Sequence, residues 1–155
     1  MNFELDAYDR KILALLQGDG RLGYSEIGRQ IHLSSPAVAE RVRRMEEAKV
    51  IEGFGARVNL RALGYSFEAF VNITVDSHAA LDAWAASHAE VLALHATTGS
   101  HCALLRIAVT APEHLQALLE SLGKIGKTTT SIVLSSQFED RLRLPGDQLS
   151  PGFAS

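Results

Sequence analysis

The residues best equipped for chemistry lie together: Ser34-Ser35-Pro36-Ala37-Val38-Ala39-Glu40-Arg41-Val42-Arg43-Arg44. The chemistry they suit is noncovalent. A guanidinium holds phosphate oxygens in a fork, and short side chains at the front of a helix let its backbone approach a groove. Ser34 can accept from the free N–H groups of a first helical turn, and Pro36 stands where a missing N–H costs nothing. Val38, Val42 and Met45 recur at helical spacing as one narrow inner stripe, leaving Ser35, Ala37, Ala39, Glu40, Arg43 and Arg44 on the other side. The stretch from Leu33 to Phe54 therefore reads as a helix suited to enter a DNA groove, with arginines behind its tip to reach phosphate. Plainer roles stand beside these. Arg43 and Arg44 also fit a solvated face, Glu40 can read cytosine or face water, and Arg41 can pair with Glu26 or another acid instead of a phosphate.

Other chemistries find less support. His95, His101 and Cys102 lie close in sequence, but no histidine pair has the i, i+4 spacing of a helical zinc site and adjacent strand residues point to opposite faces. No metal site is expected. Cys102 reads as a small apolar strand residue; a thiol-responsive role is the alternative, should two copies bring their cysteines together. The sequence carries no nucleophile motif, P-loop or dinucleotide fingerprint, so an enzyme is not expected.

The elements that must position the arginine-bearing helix come before it. Leu5 to Gln17 reads as a first helix capped by Asp6, with Ile12, Leu13, Leu15 and Leu16 inward, stopped by Gly18-Asp19-Gly20. A short helix from Tyr24 to Ile31 follows, preceded by Gly23, a weaker cap than serine. Tyr24 and Ser25 at its start are placed for phosphate oxygens, although Tyr24 can equally pack on Leu22. Ile31 to Ser34 is then a tight turn, and the whole is a helix-turn-helix unit over residues 1–52. Residues 53–66 are expected to be a linker strand, Phe54 to Asn59, and a hinge at Gly64. Residues 67–138 follow as strand Phe67–Val75, helix Ala79–His88, strands Val91–Thr97 and Cys102–Val109, helix Pro112–Leu122 and strand Thr128–Ser136. That is the β-α-β-β-α-β order of a ferredoxin-like unit, making the chain α+β. Residues 139–155 form a tail with proline, glycine and serine.

Composition is consistent with two small domains in 155 residues. The net charge is −3, but up to Arg61 there are ten Lys/Arg against nine Asp/Glu and beyond it five against nine. A near-neutral front with local arginines and an acidic rear suits a DNA reader joined to a domain with another task. One cysteine permits no internal disulfide, the first residues are acidic, and no apolar run approaches a membrane span. A cytoplasmic protein without membrane contact is expected.

These residues resemble the Lrp/AsnC ("feast/famine") family of bacterial and archaeal transcription regulators. Leu5-Asp6-x-x-Asp9-Arg10-Lys11-Ile12-Leu13 and Asp19-Gly20-Arg21 are similar to its first-helix signature. Ser34-x-x-x-Val38-x-x-Arg41-Val42-x-Arg44 and Val50-Ile51-x-Gly53-Phe54 are similar to its recognition-helix signature. In the rear half Glu90-Val91, Thr98-Gly99, Leu104-Leu105 and Thr130-Ser131-Ile132-Val133-Leu134 fall where the family has equivalent residues. The resemblance implies a winged-type helix-turn-helix, a linker strand and a βαββαβ effector domain. It implies a homodimer that assembles further, to a tetramer or an octamer, and binds palindrome-like double-stranded operators. It also implies a small-molecule effector, an amino acid or related metabolite, held between dimers near Thr98, Gly99, Ser100, His101 and Cys102. No other cofactor is implied.

The sequence departs from that pattern at four places. Gly23 replaces a capping Ser or Thr, and His32 the glycine of the turn, where histidine tolerates a left-handed backbone better than most residues. Gly99-Ser100-His101-Cys102-Ala103 stands for Gly-x-x-Asp-Tyr, so the acid that helps fix an amino acid is Cys102 here. Gly123-Lys124-Ile125 replaces Pro-Gly-Val. The main expectation is a sequence-specific transcription regulator modulated by an effector. The alternative is an effector-binding oligomeric scaffold whose helix-turn-helix has degenerated.

Overall fold

Asp6 opens the first helix, α1 (Ala7–Gly18), through its own side chain: Oδ1 accepts from the N–H groups of Tyr8 (2.8 Å) and Asp9 (2.9 Å). Asp9 returns the bond, Oδ2 accepting from the N–H of Asp6 at 3.2 Å. The result is a reciprocal capping box, with aspartate in the position glutamate usually takes. The computed structural model describes residues 3–137, which divide into two units at residues 57 and 58. The tail expected at 139–155 lies outside the described residues.

In the first unit α1 is followed by α2 (Tyr24–Ile31) and α3 (Ser35–Glu47). Their shared core is Ile12, Leu13, Ile27, Ile31, Val38, Val42 and Met45. The α2–α3 turn depends on two close backbone arrangements. His32 adopts the left-handed conformation (φ 61, ψ 44), and Leu33 donates its N–H to the carbonyl of Gly28 at 2.9 Å. Gly28 is where the turn folds back on α2: a Cβ there would sit 2.3 Å from the carbonyl oxygen of Leu33. After α3, Lys49 takes a positive φ of 58, and Val50 and Ile51 both donate to the carbonyl of Met45.

The linker strand expected at Phe54–Asn59 does not form: residues 52–59 have no strand assignment. A strand exists only where a neighbour takes its N–H and C=O groups, and the single chain supplies none here. Phe54 and Val58 are accordingly 52% and 59% exposed. No hairpin wing follows α3 among the described residues, which corrects the winged-type expectation in this detail.

The second unit begins with a single 3₁₀ turn, Arg61–Leu63, closed by Gly64 at φ 92. Then come β1 (Phe67–Val75), α4 (His78–Ala86), β2 (Val91–Ala96), β3 (Ala103–Val109), α5 (Pro112–Leu122) and β4 (Gly126–Ile132). The sheet is antiparallel throughout in the order β2-β3-β1-β4, so both crossovers place their helices on one face, the ferredoxin-like arrangement expected. Ala69, Val71 and Ile73 of β1 and Leu105, Ile107 and Val109 of β3 pack there against Leu81, Leu115, Leu118 and Leu122. Trp84 Nε1 donates to Ser121 Oγ at 2.9 Å, tying α4 to α5. The opposite face carries Phe70, 38% exposed, with half-buried Leu104 and the Arg106–Glu68 ion pair.

Element bounds differ from the sequence reading mainly at β4, which runs over Gly126–Ile132 and not Thr128–Ser136. Register with β1 decides this: pairing starts at Val75 with Gly126 and ends at Ala69 with Ile132. Gly126 fits because a Cβ there would lie 2.5 Å from the carbonyl oxygen of Thr74. Helix α4 starts and ends earlier than expected, since Ser77 caps it by accepting from the N–H of Ala80 at 3.3 Å.

Candidate nucleic-acid interface

Helix α3 starts as its sequence requires. Ser34 Oγ accepts from the N–H of Ala37 at 3.3 Å, and Pro36 occupies the first turn. Val38, Val42 and Met45 are wholly buried, so one stripe anchors the helix in the core. The ridge directly opposite that stripe is Pro36, Glu40, Arg43 and Glu47, spaced i, i+4, i+7 and i+11. All four residues are exposed, as is Arg44 beside them. Ser35, Ala37 and Ala39 lie toward the flanks and are half-buried, so they are less outward than the simple two-face division implied. Arg44 places its guanidinium over the ring of Phe3 at 5.5 Å.

The two arginines earlier in the helix are engaged. Arg43 donates from Nε and Nη2 to both carboxylate oxygens of Glu40 (3.0 and 2.6 Å) and from Nη1 to Glu47. Arg41 turns away from the ridge, toward α1. Its Nη1 donates to Asp6 Oδ2 at 2.6 Å and to Asp9 Oδ1 at 2.7 Å, and the guanidinium lies 5.4 Å over the ring of Tyr8. The acid that Arg41 meets is therefore the capping box of α1, not Glu26. Glu26 is taken by Arg29 on the next turn of its own helix, at 2.6 Å, which together with Gln30 lowers its carboxyl pKa to about 2. Asp9, with its side chain 4% exposed, is the buried acid that needs a cation. That need was the overlooked signal: an aspartate one helical turn before Leu13, on the face that packs against α3, calls for a basic partner there.

At the start of α2, Gly23 supplies no side-chain cap. Its carbonyl accepts from Glu26 and Ile27, while Tyr24 and Ser25, both exposed, lead a helix whose first N–H groups have no partner within the helix. Such an end carries partial positive charge and suits a phosphate oxygen.

The loop expected to bear the effector joins β2 to β3. Thr97 donates its N–H to the carbonyl of Cys102 (3.0 Å) and its Oγ1 to the carbonyl of His101 (2.9 Å), with Gly99 at φ 111 in between. Thr74 Oγ1 donates to the carbonyl of Ser100 at 3.2 Å, which pins the loop to the end of β1. Cys102 Sγ accepts from the N–H of Val75 at 3.3 Å and lies 3.4 Å from the carbonyl of Ile73. The thiol is thus half-buried against β1, while Thr98, Gly99 and Ser100 face outward. Among the described residues no group of three or more metal-ligating side chains occurs, and no helix is long and apolar enough to cross a membrane.

Comparison with known proteins agrees with this architecture unit by unit. Residues 5–46 match the family model of the AsnC-type helix-turn-helix domain, and residues 68–142 match that of the Lrp/AsnC ligand binding domain. The chain is 35% identical to the uncharacterized HTH-type transcriptional regulator YezC of Bacillus subtilis over 132 residues, covering 85% of this chain and 95% of the other. B. subtilis LrpC superposes with a TM-score of 0.84 at 26% identity, over 90% of this chain and 100% of that one. The feast or famine regulatory protein of Mycobacterium tuberculosis, complexed with L-methionine, superposes with a TM-score of 0.84 at 31% identity, over 92% and 100% of the two chains. The chain belongs to the Lrp/AsnC family of helix-turn-helix, DNA-binding transcription regulators.

Proposed function

We propose that this regulator acts as a homodimer on palindrome-like duplex sites, each protomer laying α3 in the major groove of one half-site. The observation that carries the reading is the division of α3: an inner stripe wholly buried, and an outer surface presenting Pro36, Glu40, Arg43 and Arg44 behind a capped first turn, with Ala37 half-buried at its flank. Ser34, Ser35 and Ala39 frame the same end. Arg44, the exposed N–H groups of Tyr24 and Ser25, and their hydroxyls supply phosphate contacts, whereas Arg41 orients α3 through α1. The working division is a DNA-binding domain at 1–52, a linker and hinge at 53–66, an effector and assembly domain at 67–138 and a tail at 139–155. The protein acts in the cytoplasm and carries out no reaction of its own.

Assembly and effector response belong to the second unit. The sheet face with Phe70 and Leu104 offers a cover for a second copy, and dimers then group into a tetramer or octamer. An amino acid or related metabolite binds at Thr98, Gly99, Ser100, His101 and Cys102 between dimers; that the M. tuberculosis relative is complexed with L-methionine supports an amino acid as the class of ligand. With Cys102 and Ala103 where the family's acid and aromatic stand, the ligand's ammonium group is left to loop carbonyls, which favours a ligand different from that of acid-bearing relatives. Selection of binding sites from random duplex, repeated with each amino acid present, tests the reading. It predicts one palindromic motif whose affinity or spacing changes with one ligand class; enrichment of no motif under any condition would contradict it.

A further inference from the structure

The outward ridge of α3 carries an ion pair whose task phosphate binding does not explain. Arg43 grips both oxygens of Glu40 in one fork and reaches Glu47 with its remaining nitrogen. The Glu40 and Arg43 side chains are each 55% exposed, on the line of the helix farthest from the core, and the residues ahead of them, Pro36 and Ala37, are short. Whatever groove α3 enters, Glu40 enters it first among the charged side chains of the ridge.

We propose that Glu40, clamped by Arg43, is a specificity-determining residue that accepts the N4 amino group of a cytosine in the major groove. This rests on the reading of α3 as the helix in the groove. A carboxylate alone would be repelled by phosphates on both sides. Arg43, with Arg44 also close enough to act on it, offsets the charge of Glu40, and the Glu40–Arg43 pairing strengthens as water leaves, while Glu47 shares Arg43 from the far end of the ridge. The fork uses one lone pair of each Glu40 oxygen and leaves the others for a donor. Of the base edges, cytosine presents a donor alone; adenine sets an acceptor beside its donor, and guanine and thymine present only acceptors to a carboxylate. The hydrogen bonds from Arg43 also hold Glu40 below the usual carboxylate range, so it remains an acceptor. Arg43 is then a positioning residue and not a phosphate contact.

The test is site selection from one random duplex pool by wild type, Glu40→Gln, Glu40→Ala and Arg43→Lys at equal salt, with circular dichroism to establish folding. Wild type should prefer cytosine about tenfold at one position of each half-site. Glu40→Gln should move that preference to adenine, whose N6 and N7 match an amide, and Glu40→Ala should lose it while retaining duplex binding. Arg43→Lys keeps the charge but not the fork, so it should weaken the preference and leave the salt dependence unchanged. An identical base at that position for wild type and both Glu40 variants overturns the proposal alone. So does loss of all duplex binding by folded Glu40→Ala. Failure of wild type to select or bind any duplex overturns the groove reading as well.

Discussion

Arg41 of α3 and Asp9 of α1 are joined at 2.7 Å, the arginine side chain 23% and the aspartate side chain 4% exposed. Through this contact and that to Asp6, the capping box that starts the first helix is also tied to α3. Removing the cation leaves a buried carboxylate oxygen without its partner. Arg41→Ala should therefore destabilise the first unit by about 2 kcal/mol in urea unfolding. Arg41→Lys should recover only part, because one ammonium cannot take both carboxylates and the Tyr8 ring as the guanidinium does. An Arg41→Ala midpoint equal to wild type would show that the contact contributes nothing.

Acid should weaken the same cluster. The N–H of Asp9, foremost, and then Arg41 hold the Asp6 carboxyl below its usual value. A carboxylate whose folded pKa is depressed stabilises the fold above its unfolded pKa, about 4, and loses that contribution as pH falls through the folded value. Thermal melts by circular dichroism should thus show a loss of stability on acidification below about pH 4 that is smaller in Asp6→Asn, which keeps the cap but not the charge.

Gly28→Ala should disrupt the helix-turn-helix, since its Cβ would meet the Leu33 carbonyl oxygen at 2.3 Å, backbone that cannot swing aside. A loss of about 2 to 3 kcal/mol is expected. Gly18→Ala, with nothing within 4 Å, serves as the control and should leave stability intact. Equal unfolding midpoints for the two variants would contradict the close packing of the turn.

These contrasts show what the sequence could carry. The start of α3 was legible because a cap, a proline and apolar periodicity are local signals, and α2 was legible from its periodicity, whereas the left-handed turn at His32 was suggested only by the glycine that the resembled family has there. The partner of Arg41 was not, because Asp6 and Asp9 lie in another helix and only folding brings them within reach. The β4 bounds depended on how closely β1 passes Gly126, a distance no propensity encodes. The linker strand read at Phe54–Asn59 did not form, since a strand needs a partner that no local pattern supplies. On α3 the outward place of Glu40, Arg43 and Arg44 could be read, but Ser35, Ala37 and Ala39 lie on half-buried flanks, Glu47 was not singled out, and the Glu40–Arg43–Glu47 pairing came from side-chain geometry.

Arg44 is expected to act through charge and not through base reading. Arg44→Ala should weaken binding to all duplexes alike and reduce the slope of log affinity against log salt by about 1. A change in base preference without a change in slope would place Arg44 against a base instead.

Whether α3 delivers a groove-reading surface can be decided by titrating the protein against a labelled selected duplex across a salt series. Saturable binding is expected, its logarithm falling linearly and steeply with the logarithm of salt, with preference for that duplex over a scrambled one at every salt. Protein that remains folded and self-associated, yet binds neither duplex even at the lowest salt, would contradict it.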